Sequence, residues 1–313
     1  MSLVSDTFNL AVNPRPEASA SRHIKNCIRY FSLASRSGDM NEFHKSDPNS
    51  NITLGEENCW EHFSKELDYT VRHIHPKHYL KSPVVYATTA RPAIQPDERA
   101  TPPTSMDDAI HVVCDALVAG YYETNYGQWE NLASKSYATM EELFKQAKLD
   151  QSLLRSTPIV ELGAGFGTMS FVNAQGATHD QKNINYDLPG MSLLQQSVAQ
   201  YLGQVTNNPS FLNNIEYLSD TATLYDKVDK MDFGIQTFYA FTEFPDGERQ
   251  KLTELFKKSK FAIIASNSNF EGIDNFAYLD NLAKSIGKKV VSGPVFNPAK
   301  LNWHDNHKGF LIY

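Results

Sequence analysis

Cysteine is scarce in this chain. Cys27, Cys59 and Cys114 are the three cysteines in 313 residues, and no C-x-x-C spacing occurs. An odd count at wide spacing points away from a disulfide framework and from a cysteine-built zinc site, and it fits a reducing compartment. Long apolar runs are also missing: none approaches the roughly 20 residues that a membrane-crossing helix needs. Basic clusters are short. "KKSK" (257–260) and "GKK" (287–289) stand against a formal net charge of -7, whereas phosphate-backbone binding calls for clustered Lys and Arg. The opening "MSLVSDTFNLAVNPRPEASAS" lacks the basic-then-apolar layout of a secretory signal. These absences predict a cytoplasmic protein with neither a nucleic-acid nor a membrane partner.

What is present reads as one core with an addition. Residues 1–20 are polar, small and proline-containing, and are expected to form a flexible arm. Residues 21–150 are expected to be a mainly helical N-terminal cap, interrupted by a proline-rich connector at 82–105. Within it, Thr139 with Glu142 three residues on reads as the start of a helix whose apolar side is Met140, Leu143, Phe144 and Ala147. The histidines of "RHIHPKH" (His73, His75, His78) have no fixed carboxylate partner and are read as surface, so no metal is expected.

From residue 151 to 313 strands and helices alternate. "PIVELG", "NINYDLP", "NNIEYLSD", "MDFGIQTFYAF" and "KFAIIAS" read as five strands in turn. Helices intervene. One carries Met191, Leu194, Val198 and Tyr201 on one face, and another over 246–259 is expected to be capped by Asp246. "KKVVSG" and "KGFLIY" can close the sheet as a hairpin. The alternation predicts an α/β core with a mostly parallel sheet covered on both faces.

The chemistry starts at "PIVELGAGFGTMSF" (158–171). Glycines let a backbone come close to a ligand, and open α/β sheets bind ligands at the carboxyl ends of their strands. A dinucleotide fingerprint needs G-x-G-x-x-G/A. Counting from Gly163 and Gly165, its last position is Thr168, so that match fails. The loop follows E-x-G-x-G-x-G instead, through Glu161, Gly163, Gly165 and Gly167. This spacing resembles motif I of class I S-adenosylmethionine-dependent methyltransferases. In that reading Glu161 senses the cationic end of the cofactor. Asp187, at the end of the second strand, accepts both ribose hydroxyls, as an ionised carboxylate can. Ser219 and Asp220 end the third strand, where an acid suits the adenine amine. Both aspartates can also serve as helix caps.

Three segments together, "VELGAGFG", "INYDLPGMSLLQQSVAQYL" and "FYAFTEF", resemble the sugar O-methyltransferase family, and "YETNYGQWENL" resembles the segment that family carries before its core. The resemblance covers about residues 120–270. It implies a Rossmann-type methyltransferase core with a seven-stranded sheet, an antiparallel closing hairpin, S-adenosyl-L-methionine as cofactor, and a carbohydrate hydroxyl as acceptor. Ala164, Leu188, Thr237 and Phe238 complete the expected cofactor positions. Plant-type small-molecule O-methyltransferases share the Asp-Leu-Pro but use a His where this chain has Thr242 and Glu243.

A hydroxyl acceptor needs a base as the new bond forms. Glu243, among Phe241, Phe244 and Tyr239, is the first candidate; His304 and His307 in "NWHDNHKGF" are the rivals. Tyr122, Tyr126, Trp129, Tyr239 and Trp303 are candidates for an aromatic acceptor wall. Methyl transfer to a non-sugar small molecule, a methyltransferase-like binding protein without turnover, and a nicotinamide-dependent oxidoreductase stay open as alternatives. So does assembly as a homodimer.

Overall fold

The computed structural model describes residues 132–165, 167–206, 210–270, 272–297 and 302–313. The arm, the connector, Tyr122, Tyr126 and Trp129 lie outside them. Nine strands are described: β1 Ile159–Leu162, β2 Asn183–Tyr186, β3 Ile215–Leu218, β4 Gly234–Phe238, β5 Phe261–Asn267, the short β6 Asn269–Phe270 and β7 Ile273–Asp274, then β8 Val290–Asn297 and β9 Asn302–Ile312. The helices are α1 Leu132–Ala147, α2 Leu153–Ser156, α3 Thr168–Gly176, α4 Pro189–Thr206, α5 Ser210–Asn213, α6 Thr221–Val228, α7 Asp246–Lys258 and α8 Asn275–Ser285.

The main sheet has seven strands in the order β3-β2-β1-β4-β5-β9-β8. β1 to β5 run parallel, and β9 is antiparallel to both β5 and β8. Every residue of β1 and β2, and six of the seven in β5, are buried. Strands covered by helices on both faces need this unbroken burial. The order runs outward from β1 to β3 on one side and from β4 to β5 on the other, so β1 and β4 flank the switch point where such sheets open a crevice. This is a Rossmann-like α/β arrangement, and the hairpin of β8 and β9 closes it as the sequence predicts.

Two helix starts differ from expectation. α1 is already helical at Leu132, so Thr139 and Glu142 lie mid-helix and form no capping box. Thr139 is fully buried and its Cγ2 would stand 2.7 Å from a Cβ placed on Gly309 of β9. Packing against the sheet, with Phe144 edge-on to Phe261 at 5.1 Å, overrides the local signal. At α7 the cap residue is Pro245, and Asp246 is the first helical residue. The Asp246 carboxylate instead accepts from Gln250 Nε2 at 2.7 Å, one turn on. Proline's fixed φ suits this boundary position.

β9 carries a large irregularity. Pro294 pairs with Lys308, yet the next residue, Val295, pairs with His304. Residues 305–307 therefore have no counterpart in β8, and His307 keeps its pairing with Asn267 on β5. Bulges of this kind re-aim side chains near functional sites. Among the described residues no helix is long and apolar enough to cross a membrane.

Candidate functional site

The site is built at the carboxyl ends of β1, β2 and β4. After Leu162 the chain turns through Gly163, Gly165 and Gly167, at φ +69°, +56° and +81°. Left-handed backbone in such density calls for glycine. The three differ in what surrounds them. A Cβ on Gly163 would stand 2.1 Å from Ala240 Cβ, because the loop after β4 presses on this turn. A Cβ on Gly167 would touch the Phe171 ring at 3.2 Å. A Cβ on Gly165 would meet nothing within 4 Å. Gly165 is thus the position where backbone faces open space.

Asp187 sits beside it. Its Oδ2 accepts from Gly165 N at 3.1 Å and from Gln195 Nε2 at 2.9 Å, and its Oδ1 accepts from Leu188 N at 2.8 Å. Burial pushes its carboxyl up to about 6, opposed by these hydrogen bonds. The Ala164 backbone bears on the same carboxylate, so the loop holds it from several sides. The residue ties the loop together as well as facing the crevice.

Glu161 departs further from expectation. It is buried, with Ser170 Oγ hydrogen-bonded to its Oε2. Burial pushes its carboxyl up to about 8. Its carboxyl is engaged by Ser170 inside the core, away from the open position at Gly165. Thr237 is also buried at the end of β4. Its Oγ1 accepts from Phe241 N at 3.0 Å, which anchors the turn after β4. Phe238, half-buried, packs with Tyr239, Ala265 and Val295.

Ser219 and Asp220 are exposed at the end of β3. Ser219 Oγ lies 2.9 Å from Ser192 Oγ. Asp220 caps α6, accepting from Thr223 N at 2.7 Å and Thr223 Oγ1 at 2.6 Å. Those bonds hold its carboxyl below the usual range. Both fall on Oδ2, so the capping reading holds for one oxygen of this residue.

On the other side of β4, Tyr239 has φ +68°, the left-handed region that strains a bulky residue. Its N–H donates to Ala265 O at 2.7 Å, and its Oη lies 3.0 Å from His307 Nδ1. The rings meet edge-on at 5.3 Å. Strain of this kind concentrates at functional sites. Glu243 is half-buried in a 3-10 turn, Phe241–Glu243, that follows directly. Its N–H donates to Ala240 O at 2.9 Å. Tyr239 and His307 thus meet at the carboxyl end of β4, and the turn that carries Glu243 follows Tyr239 in the chain. Trp303 and His304 lie on β9 opposite Phe296 and Val295, with their side chains outside the described set.

Four residues were not anticipated. Ser170, Asn185, Gln195 and Gln236 are polar and almost fully buried behind the loop. The visible clue is Gln195, which shares the apolar face of α4 with Met191, Leu194 and Val198. A polar residue on a core-facing stripe needs a partner.

No family model matches the chain, and no curated protein matches it. Solved structures do. The methyltransferase domain of a bacterial CtHen1 is 11% identical over 58% of this chain and 98% of its own, with a TM-score of 0.41. A SAM-dependent methyltransferase from Aquifex aeolicus is 16% identical over 56% and 92%, at 0.38. Magnesium protoporphyrin IX methyltransferase from Synechocystis PCC 6803, solved with bound SAH, is 12% identical over 57% and 83%, at 0.38.

Proposed function

We propose that this protein transfers a methyl group from S-adenosylmethionine to a hydroxyl of a small acceptor, of the carbohydrate class that the sequence resemblance implies. The observation that carries the cofactor reading is the pairing of Gly165 with Asp187. A left-handed glycine opens onto space at the switch point, and a buried carboxylate is fixed beside it. The donors and acceptors there suit a ribose and an amino-acid tail. Against a nicotinamide dinucleotide stands Thr168, where its fingerprint calls for a small Gly or Ala.

S-adenosylmethionine supplies an electrophilic methyl on a sulfonium and leaves as a neutral thioether. The protein's share is position and proton handling. Gly163, Ala164, Gly165 and Gly167 shape the approach. Asp187, with Leu188 beside it, orients the ribose. Ser219 and the outer oxygen of Asp220 are placed for the adenine edge, and Phe238 for packing.

On the acceptor side, Glu243 is the proposed general base for the hydroxyl proton. His307, held by Tyr239, is the alternative carrier of that role, with His304 on the same strand. Tyr239 and Trp303 are proposed to contact the acceptor, together with Tyr122, Tyr126 and Trp129 from the preceding segment.

The test is transfer of isotope-labelled methyl from S-adenosylmethionine to a panel of free and glycosidic sugars, read by mass spectrometry of the products. Label in an O-methyl sugar supports the full reading. Label confined to non-sugar acceptors would keep methyl transfer and remove the carbohydrate. Cofactor binding with no labelled product across the panel would favour a binding protein.

A further inference from the structure

Behind the glycine loop runs a directed chain of hydrogen bonds whose protons can be counted. Gln195 Nε2 is 2.8 Å from the Gly165 carbonyl oxygen and 2.9 Å from Asp187 Oδ2. A backbone carbonyl only accepts, and Asp187 Oδ2 already accepts from Gly165 N. The Gln195 amide must therefore point its NH₂ at the loop and spend both protons there. Its Oε1 then faces Asn185, which must donate through Nδ2 at 3.2 Å. That fixes Asn185 with Oδ1 toward Ser170 Oγ, 2.5 Å away. Ser170 has one hydroxyl proton, and Asn185 Oδ1 claims it. Ser170 Oγ also bonds Glu161 Oε2. With its proton used, Ser170 can only accept there, so the proton in that bond belongs to Glu161.

Resting on the proposed cofactor reading, we infer that Gln195 is the positioning residue of the cofactor site, holding Asp187 and the Gly165 carbonyl in register, and that a protonated Glu161 sets the direction of the relay behind it. The surroundings of Glu161 agree. Ser170 faces it from α3, Asn185 closes the next link from β2, and Gln236 faces it from β4. Hydrogen bonding from Ser170 and from the Gln236 side chain opposes burial at Glu161, and burial is the larger effect. The charged group that bears on Glu161 is Asp187, which raises its proton affinity further in the same sense as burial. Ionising Glu161 would turn it into an acceptor, draw the Ser170 proton away from Asn185, and leave the rest of the chain without a fixed direction.

The experiment pairs two readouts. Calorimetry with S-adenosylhomocysteine compares wild type with Gln195→Met, which keeps the volume, and with Glu161→Gln, which keeps a donor for Ser170. Infrared difference spectra record whether a protonated carboxylic carbonyl band present at neutral pH disappears in Glu161→Gln. Gln195→Met is expected to bind about 10- to 100-fold more weakly, the scale of lost hydrogen bonds to a charged group. Glu161→Gln is expected to bind within a few-fold of wild type, and Glu161→Ala to fall with Gln195→Met. Equal binding by Gln195→Met and wild type would overturn the positioning role. A neutral-pH spectrum without the protonated band would overturn the relay. Wild type that binds no S-adenosylhomocysteine would sink the cofactor reading itself, while the infrared band still decides the state of Glu161. Should Gln195→Met fail to fold, Ser170→Ala breaks the same chain two links away and is expected to weaken binding likewise.

Discussion

Tyr239 Oη and His307 Nδ1 meet at 3.0 Å across the carboxyl end of the parallel sheet. One comes from a strained turn after β4 and the other from the bulged closing strand β9. The contact joins the two segments that the sequence separates by 68 residues.

Tyr239→Phe removes the hydroxyl and keeps the ring. If the pair orients His307 toward the acceptor, turnover is expected to fall about 10-fold, the worth of one hydrogen bond. Cofactor affinity should hold, and the pH profile of turnover should move. An unchanged profile would reduce the pair to a support for the strained backbone.

Glu243→Gln keeps shape but takes no proton at neutral pH. Turnover on the true acceptor is expected to drop by roughly 10²–10⁴-fold, the usual share of acid–base catalysis. His304→Ala and His307→Ala are measured alongside. Collapse in a histidine variant with normal turnover in Glu243→Gln would move the base to β9.

The glycines give a differential test. Gly163→Ala combines a left-handed φ with a 2.1 Å clash against Ala240. It should destabilise the fold by about 2–5 kcal/mol in thermal or chemical unfolding. Gly165→Ala meets no neighbour. It should cost only about 1–2 kcal/mol from its backbone, while cofactor binding falls sharply. Equal losses of stability and unchanged binding in Gly165→Ala would mean that nothing approaches this position.

Glu161 makes stability depend on pH in a defined direction. Its carboxyl rises from an ordinary 4.5 to about 8 in the fold. The folded protein therefore holds a proton that the unfolded chain gives up. This group's stabilisation is complete below 4.5 and is lost as pH rises toward 8, by about 1.4 kcal/mol per unit. Asp187, raised from 3.8 to about 6, acts the same way at lower pH. Between pH 6 and 8 Glu161 dominates. Thermal melts across that window should slope downward for wild type and run nearly flat for Glu161→Gln. Parallel slopes would contradict the burial of a neutral acid.

Asp187→Asn keeps one acceptor oxygen, so either the N–H of Leu188 or the donors from Gly165 and Gln195 lose their partner. A carboxylate that only faced a ligand could be lost without cost to the ligand-free protein. The three internal hydrogen bonds of Asp187 say otherwise. Leaving those donors unpaired should cost about 1–3 kcal/mol in ligand-free unfolding, in addition to weakened cofactor binding.

How much was legible follows from which forces act locally. The five parallel strands, the closing hairpin and the glycine turn were readable, because apolar runs, β-strand spacing and E-x-G-x-G-x-G are local patterns. The start of α1 was not, because Thr139 is placed by Gly309, far along the chain. Nor was the role of Asp220 as the cap of α6 separable from ligand binding, since both call for an acid at a strand end. The Glu161 relay was hidden for the same reason: Ser170, Asn185 and Gln195 come from three elements. Only Gln195, polar on the apolar face of α4, marked the place.

Calorimetry of the wild-type protein with S-adenosylhomocysteine, S-adenosylmethionine and NAD tests the central claim most directly. The account predicts low-micromolar or tighter binding of the two sulfur ligands at a single site and none of NAD. Binding of NAD in preference to S-adenosylmethionine would contradict it.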